Sequence, residues 1–311
     1  MPSPSTHVRR RTVAIAVAAL AGTASVGLPS AAAHPSKHVR PVAAHSRYLA
    51  LGDSISFGYR ESNSNPAPDF SKPKQFVGFP EDVAKNLGLR LTNAACPGET
   101  TVSFINATKQ SNGCENSYQP GTGMVAGGYR TAHPLHTKYK SATQSQLQFA
   151  KAFLKKYPKT SLVTLMIGAN DGFLCLAKTT DQCQGPGEFA KVQAQITKHV
   201  KRILKGLRGK AHYKGQLVIV SYYATDYTDF YSTYESQGLN KALTDAAKGF
   251  HATIADGYGQ FEKAAMQANG NTCTAQLLTA LTGPDEGTCG VHPSLTGQAL
   301  LAQAVEQAIK R

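Results

Sequence analysis

The chain has 311 residues, 41% of them hydrophobic and 17% charged, and a formal charge of +14 at neutral pH. The apolar fraction is enough for a sizeable core. The lysines and arginines are dispersed, with no basic block interleaved with aromatics, which argues against nucleic acid as a partner. The charge instead fits solubility, with weak attraction to an anionic membrane or cell-wall surface.

Residues 1–33 read as addressing rather than fold. Arg9, Arg10 and Arg11 precede an apolar segment from Val13 to Leu28, and Ala31-Ala32-Ala33 follow. A basic start, a short apolar stretch and small residues at the exit describe a secretory signal peptide. Gly22, Thr23 and Ser25 interrupt the stretch and leave it short of the roughly 20 residues that span a bilayer. Cleavage is expected after Ala33, with Ala44 as a second site, and residues 34–47 form a flexible lead-in. A single domain over 48–311 is expected to follow, exported and monomeric.

In chain order, Tyr48–Leu51 is a short apolar run suited to a buried strand. It leads into Gly52-Asp53-Ser54, where a turn and a helix start are expected. Helix is expected at 79–87 and strand at 90–94, ending on Cys96-Pro97-Gly98. Residues 104–142, rich in Gly, Asn, Ser, Tyr and His, look like a long insertion. Helix at 144–157, stopped by Pro158, precedes the clearest strand, 161–167. An amphipathic helix at 188–207, a strand at 216–222, a helix at 239–250, a short strand at 252–255 and a helix at 295–309 complete the pattern. Such alternation predicts an α/β fold, a three-layer α/β/α sandwich with a mostly parallel sheet of about five strands.

Six cysteines, Cys96, Cys114, Cys175, Cys183, Cys273 and Cys289, suit an oxidising compartment and show no zinc-ligand spacing. Their connectivity is open from sequence, but their spacing suggests three local loops, 96 with 114, 175 with 183, and 273 with 289. Each loop would brace a segment near Gly98, Asn170 or His292, and closure is worth about 3 kcal/mol apiece in the chain-entropy model.

A serine at the carboxyl end of a strand and the start of a helix has a backbone N–H available to a developing anion. The stretch YLALGDSISFGY at 48–59 resembles the first block of the GDSL esterases of the SGNH hydrolase superfamily. AACPGETT at 94–101, IGAND at 167–171 and VHPSLTG at 291–297 resemble the other blocks, in the family's order. The resemblance implies Ser54 as nucleophile and His292 as base. It also implies an oxyanion hole made of the backbone N–H groups of Ser54 and Gly98 and the side-chain amide of Asn170. No cofactor or metal is implied. His133 and His136, three apart in a Gly-rich segment, have no Cys or carboxylate partner close in sequence and are read as surface residues.

One departure stands out. Much of the family carries an aspartate three residues before the histidine, and here that position is Cys289. A Ser–His dyad is therefore expected, with the main-chain carbonyl of Cys289 holding the imidazole and Asp285 as the alternative acid. The Tyr-rich stretch containing Tyr222, Tyr223, Tyr227, Tyr231 and Tyr234 is expected to wall the site. These features predict a secreted serine esterase or lipase, with acyl lipids or phospholipids as substrates. Two alternatives are a polysaccharide deacetylase and a non-catalytic secreted module binding anionic cell-wall polymer.

Overall fold

A computed structural model describes residues 40–185 and 187–311; the expected signal peptide lies outside them. Among the described residues nine strands form in chain order: β1 (Arg47–Gly52), β2 (Arg90–Asn93), β3 (Asn116–Gln119), β4 (Gly123–Ala126), β5 (Leu162–Met166), β6 (Gln216–Val220), β7 (Ala252–Ala255), β8 (Leu278–Ala280) and β9 (Cys289–Pro293). Five build one parallel sheet in the order β2-β1-β5-β6-β7. The residues of β5 and β6 are all buried, as is β1 after Arg47. Their near-continuous apolar runs reflect a sheet covered on both faces. The edge strands β2 and β7 are only partly buried.

Two groups of helices cover the sheet. Phe79–Leu87, Gly257–Ala265 and Leu295–Ala308 pack together, and Gln146–Lys156, Ala169–Lys178, Glu188–Lys205 and Phe230–Ala247 form the other group. The helix at 79–87 has the bounds the sequence predicts. The helix expected at 239–250 instead begins at Phe230, capped by Asp229, whose side chain accepts the Ser232 N–H at 2.7 Å. Its first turns carry aromatic and β-branched residues of low intrinsic helix propensity, so the apolar period becomes legible only from Leu239. The 104–142 insertion holds the β3–β4 hairpin and a short helix at Tyr129–Ala132.

Part of the expected flexible lead-in is ordered. Val42 is buried and donates its N–H to the Lys310 carbonyl at 3.0 Å, and the His45 N–H reaches the Gly88 carbonyl at 2.8 Å. Among the described residues no helix is long and apolar enough to cross a membrane. The three disulfides are Cys96–Cys114, Cys175–Cys183 and Cys273–Cys289, the three local loops that the spacing suggests.

The parallel sheet carries the first three blocks at its carboxyl edge, and the fourth lies outside it, on β9 and the helix that follows. Ser54 leaves the carboxyl end of β1, Asn170 follows the end of the neighbouring β5, and Tyr222 and Tyr223 follow β6. The carboxyl ends of parallel strands are where such sheets place their ligands.

Candidate active site

Ser54 opens a one-turn helix, Ser54–Phe57, immediately after β1. Gly52 makes the junction possible. It sits at φ +140°, and a Cβ there would lie 2.1 Å from the Met166 carbonyl oxygen of β5. Any other residue would push the two strand ends apart. Asp53 caps the turn, accepting the Ile55 N–H at 3.1 Å and the Tyr222 hydroxyl.

His292 lies in β9, in the β8–β9 hairpin. Its Nε2 is 2.9 Å from Ser54 Oγ, and its Nδ1 is 2.8 Å from Glu61 Oε1. The His292 backbone N–H also approaches Glu61 Oε1, at 3.3 Å. Burial acts to raise the Glu61 carboxyl, but the hydrogen bond and charge of His292 prevail and hold it below its ordinary range. With Glu61 ionised, Nδ1 donates to it, and in the neutral imidazole Nε2 is then the acceptor that faces the Ser54 hydroxyl.

This arrangement corrects the expected histidine partner. Asp285 sits in a 3-10 turn at Gly283–Asp285 and accepts from Asn63 Nδ2 at 3.0 Å. Cys289 pairs with Ala280 in the β8–β9 hairpin and is bonded to Cys273. Neither hydrogen-bonds the imidazole. The acid comes instead from the loop after the Ser54 turn, 231 residues from its partner. One trace of it was present in sequence at Gly290: a Cβ there would lie 1.9 Å from Glu61 Oε1. The carboxylate occupies the space a side chain would need. Tyr59 packs its ring 4.7 Å from the imidazole and backs the pair.

Asn170 is buried, and its Oδ1 accepts from Asn112 Nδ2 at 3.0 Å. Its own NH2 group and the backbone N–H groups of Ser54 and Gly98 donate to no other protein group among the described residues. Three donors are thus unengaged. Gly98 does not line the cavity beside Ser54, but its carbonyl accepts the Asn112 N–H at 2.7 Å. Asn112 therefore bridges the second and third blocks, and no sequence motif singles it out.

Ser54, Asn170 and His292 line one cavity of about 240 Å³. Its apolar wall includes Phe173, Leu176, Phe189, Val192, Ile196 and Leu239. Among the described residues, no lysine or arginine lines it. Tyr222 and Tyr223 also line it, as expected. The Tyr223 hydroxyl donates to the Val291 carbonyl at 2.5 Å, steadying the strand that carries His292. Tyr227 turns away to the Tyr258 carbonyl, and Tyr231 and Tyr234 are exposed on the helix at 230–247. His133 and His136 join an aromatic cluster around Phe57, Phe70 and Tyr129.

The arrangement can move a proton from a hydroxyl to an imidazole and offers donors for an anion beside it. A family model for GDSL-like lipases and acylhydrolases matches residues 50–300. The chain belongs to that family. Two solved structures are similar in fold to this GDSL-like hydrolase. A phospholipase A1 from Streptomyces albidoflavus NA297 shares 18% identity over 85% of this chain and 100% of its own, with a TM-score of 0.50. A lipase from a goat rumen metagenome shares 14% identity over 85% of this chain and 97% of its own, with a TM-score of 0.51. No curated protein matches the sequence.

The helix cap beside Ser54 has a measurable consequence. Burial raises the Asp53 carboxyl from 3.8 to about 6 despite its hydrogen bonds from Tyr222 and Ile55. The folded chain therefore holds this proton more tightly than the unfolded one. The stability it contributes is present below pH ~4 and is lost as pH rises through ~6. Asp53→Asn keeps a capping side chain without the titration. Relative to wild type, it should gain about 2 kcal/mol between pH 4 and 7 in urea unfolding. A difference that stays constant across that range would remove Asp53 as its source.

Proposed function

We propose that this GDSL-like hydrolase is an exported serine carboxylic ester hydrolase that acts on acyl esters, lipids among them. The hydrogen-bonded series Ser54 Oγ, His292 Nε2, His292 Nδ1 and Glu61 Oε1 carries the reading. Ser54 Oγ attacks the ester carbonyl carbon while Nε2 takes its proton, and Glu61 stabilises the imidazolium and keeps the ring oriented. The oxyanion receives hydrogen bonds from the Ser54 N–H and from Asn170, which line the cavity, and the unengaged Gly98 N–H is assigned to it by the family resemblance. Collapse returns the proton to the departing alcohol and leaves an acyl group on Ser54. Water then enters by the same route, with His292 as base, and releases the carboxylic acid.

The apolar cavity wall supports an acyl chain longer than acetyl. Three disulfides and the basic, apolar leader support export. Acyl-chain preference is read from a p-nitrophenyl ester series from acetate to palmitate. Each methylene that enters the cavity is worth up to ~0.8 kcal/mol. The expected kcat/KM therefore rises by roughly two- to fourfold per methylene until the wall is covered, then levels. A maximum at acetate would favour the polysaccharide-deacetylase reading instead.

A further inference from the structure

We propose that Asn112 is a positioning residue that decides which end of the Asn170 amide faces the nucleophile. The inference rests on the reading of Asn170 as an oxyanion donor. A carboxamide is nearly symmetric in shape, and only its hydrogen-bond partners determine whether its oxygen or its NH2 occupies a given place. For an oxyanion hole the difference is decisive, because the NH2 end stabilises developing negative charge and the oxygen end repels it. Asn112 Nδ2 donates to Asn170 Oδ1 at 3.0 Å. That contact engages the oxygen and leaves the NH2 available.

Asn112 is itself held from several directions. Its N–H donates to the Gly98 carbonyl at 2.7 Å. Its carbonyl oxygen lies 2.5 Å from the place a Cβ on Gly98 would take, and Gly98 is at φ +79°. Only glycine allows that approach without strain. On either side, the Ser111 N–H reaches Asn116 Oδ1 at 2.8 Å and the Gly113 N–H reaches the Asn116 carbonyl at 2.8 Å. The Cys96–Cys114 bridge closes the same segment. One braced residue thus touches both Gly98 and Asn170, coupling the orientation of one donor to the placement of the other.

The test uses the near-isosteric exchange Asn112→Asp, which removes the donor and puts an acceptor against Asn170 Oδ1. The Asn170 amide then turns its NH2 toward the new carboxylate and its oxygen toward the reacting carbonyl. With p-nitrophenyl butyrate, kcat is expected to fall ~100-fold, the scale of losing one oxyanion donor, with KM within ~2-fold of wild type. Asn112→Ala, which removes the donor but adds no acceptor, is expected to lose less, about 10-fold. In an Asn170→Ala background, Asn112→Asp should change kcat by no more than ~2-fold, since no amide remains to orient. Circular dichroism and thermal melts confirm that each variant is folded. Wild-type kcat in Asn112→Asp would show that Asn112 accepts rather than donates and would overturn the proposal. So would a ~100-fold loss that persists without Asn170, or an alanine variant worse than the aspartate. If Asn170→Ala alone leaves kcat unchanged, the oxyanion reading falls and takes this inference with it. A loss in Asn170→Ala with none in Asn112→Asp overturns only the role of Asn112.

Discussion

Glu61→Gln should lower kcat by ~10³- to 10⁴-fold while leaving KM nearly unchanged. Glu61 Oε1 receives both the ring Nδ1–H and the backbone N–H of His292. An amide in its place can present an NH2 group to Nδ1, which stabilises the tautomer with its proton on Nε2. That imidazole cannot take the Ser54 proton. The glutamine also removes the charge that offsets the imidazolium formed during attack. Asp285→Asn is the matched control. Its carboxylate is engaged by Asn63, away from the imidazole, and the variant should stay within a few-fold of wild type. The opposite pair of results, a small effect at Glu61 and a large one at Asp285, would return the site to the arrangement read from sequence.

Ser54→Ala should cost still more, ~10⁴- to 10⁶-fold in kcat, because it removes the hydroxyl on which the proposed acyl-enzyme forms. The residual rate is what the oxyanion donors and substrate binding alone provide. Stability should barely change, since the Ser54 hydroxyl has His292 as its one side-chain hydrogen-bond partner among the described residues. The turn around it is held by Gly52 and by the Asp53 cap. Thermal melting of the variant within a few degrees of wild type separates loss of chemistry from loss of fold.

Much of the sheet and part of the site were legible in the sequence, for physical reasons. β1, β5 and β6 are buried on both faces and read as apolar runs, and Ser54 and Asn170 leave the carboxyl ends of two of them. The acid was not legible, because its link to His292 is made only by tertiary folding across 231 residues. The place where sequence looks for it, Cys289, is occupied by a disulfide to Cys273. Gly290 held the corresponding hint, since an unfilled side-chain position beside a histidine leaves room for a carboxylate from elsewhere. Asn112 was hidden for a different reason. It lies in the polar 104–142 insertion, where no apolar period marks structure and where Asn112 is placed by its hydrogen bonds to Gly98 and Asn170. The early start of the helix at 230–247 was masked by exposed Phe230, Tyr231 and Tyr234, whose helical state is set by the Asp229 cap and by packing further along.

The central claim, that Ser54 is a nucleophile activated by His292 and Glu61, is tested most directly by covalent labelling. Wild type, Ser54→Ala and Glu61→Gln would be treated with a p-nitrophenyl alkylphosphonate, and the adduct located by peptide mass spectrometry. The reagent transfers its phosphonyl group to an activated hydroxyl and releases p-nitrophenolate, so the rate and the site are read in one experiment. The expected result is one adduct per wild-type chain, on Ser54. None should form in Ser54→Ala, and in Glu61→Gln labelling at the same serine should slow ~10³-fold. A stoichiometric adduct on another residue, or ester hydrolysis by Ser54→Ala at the wild-type rate, would contradict it.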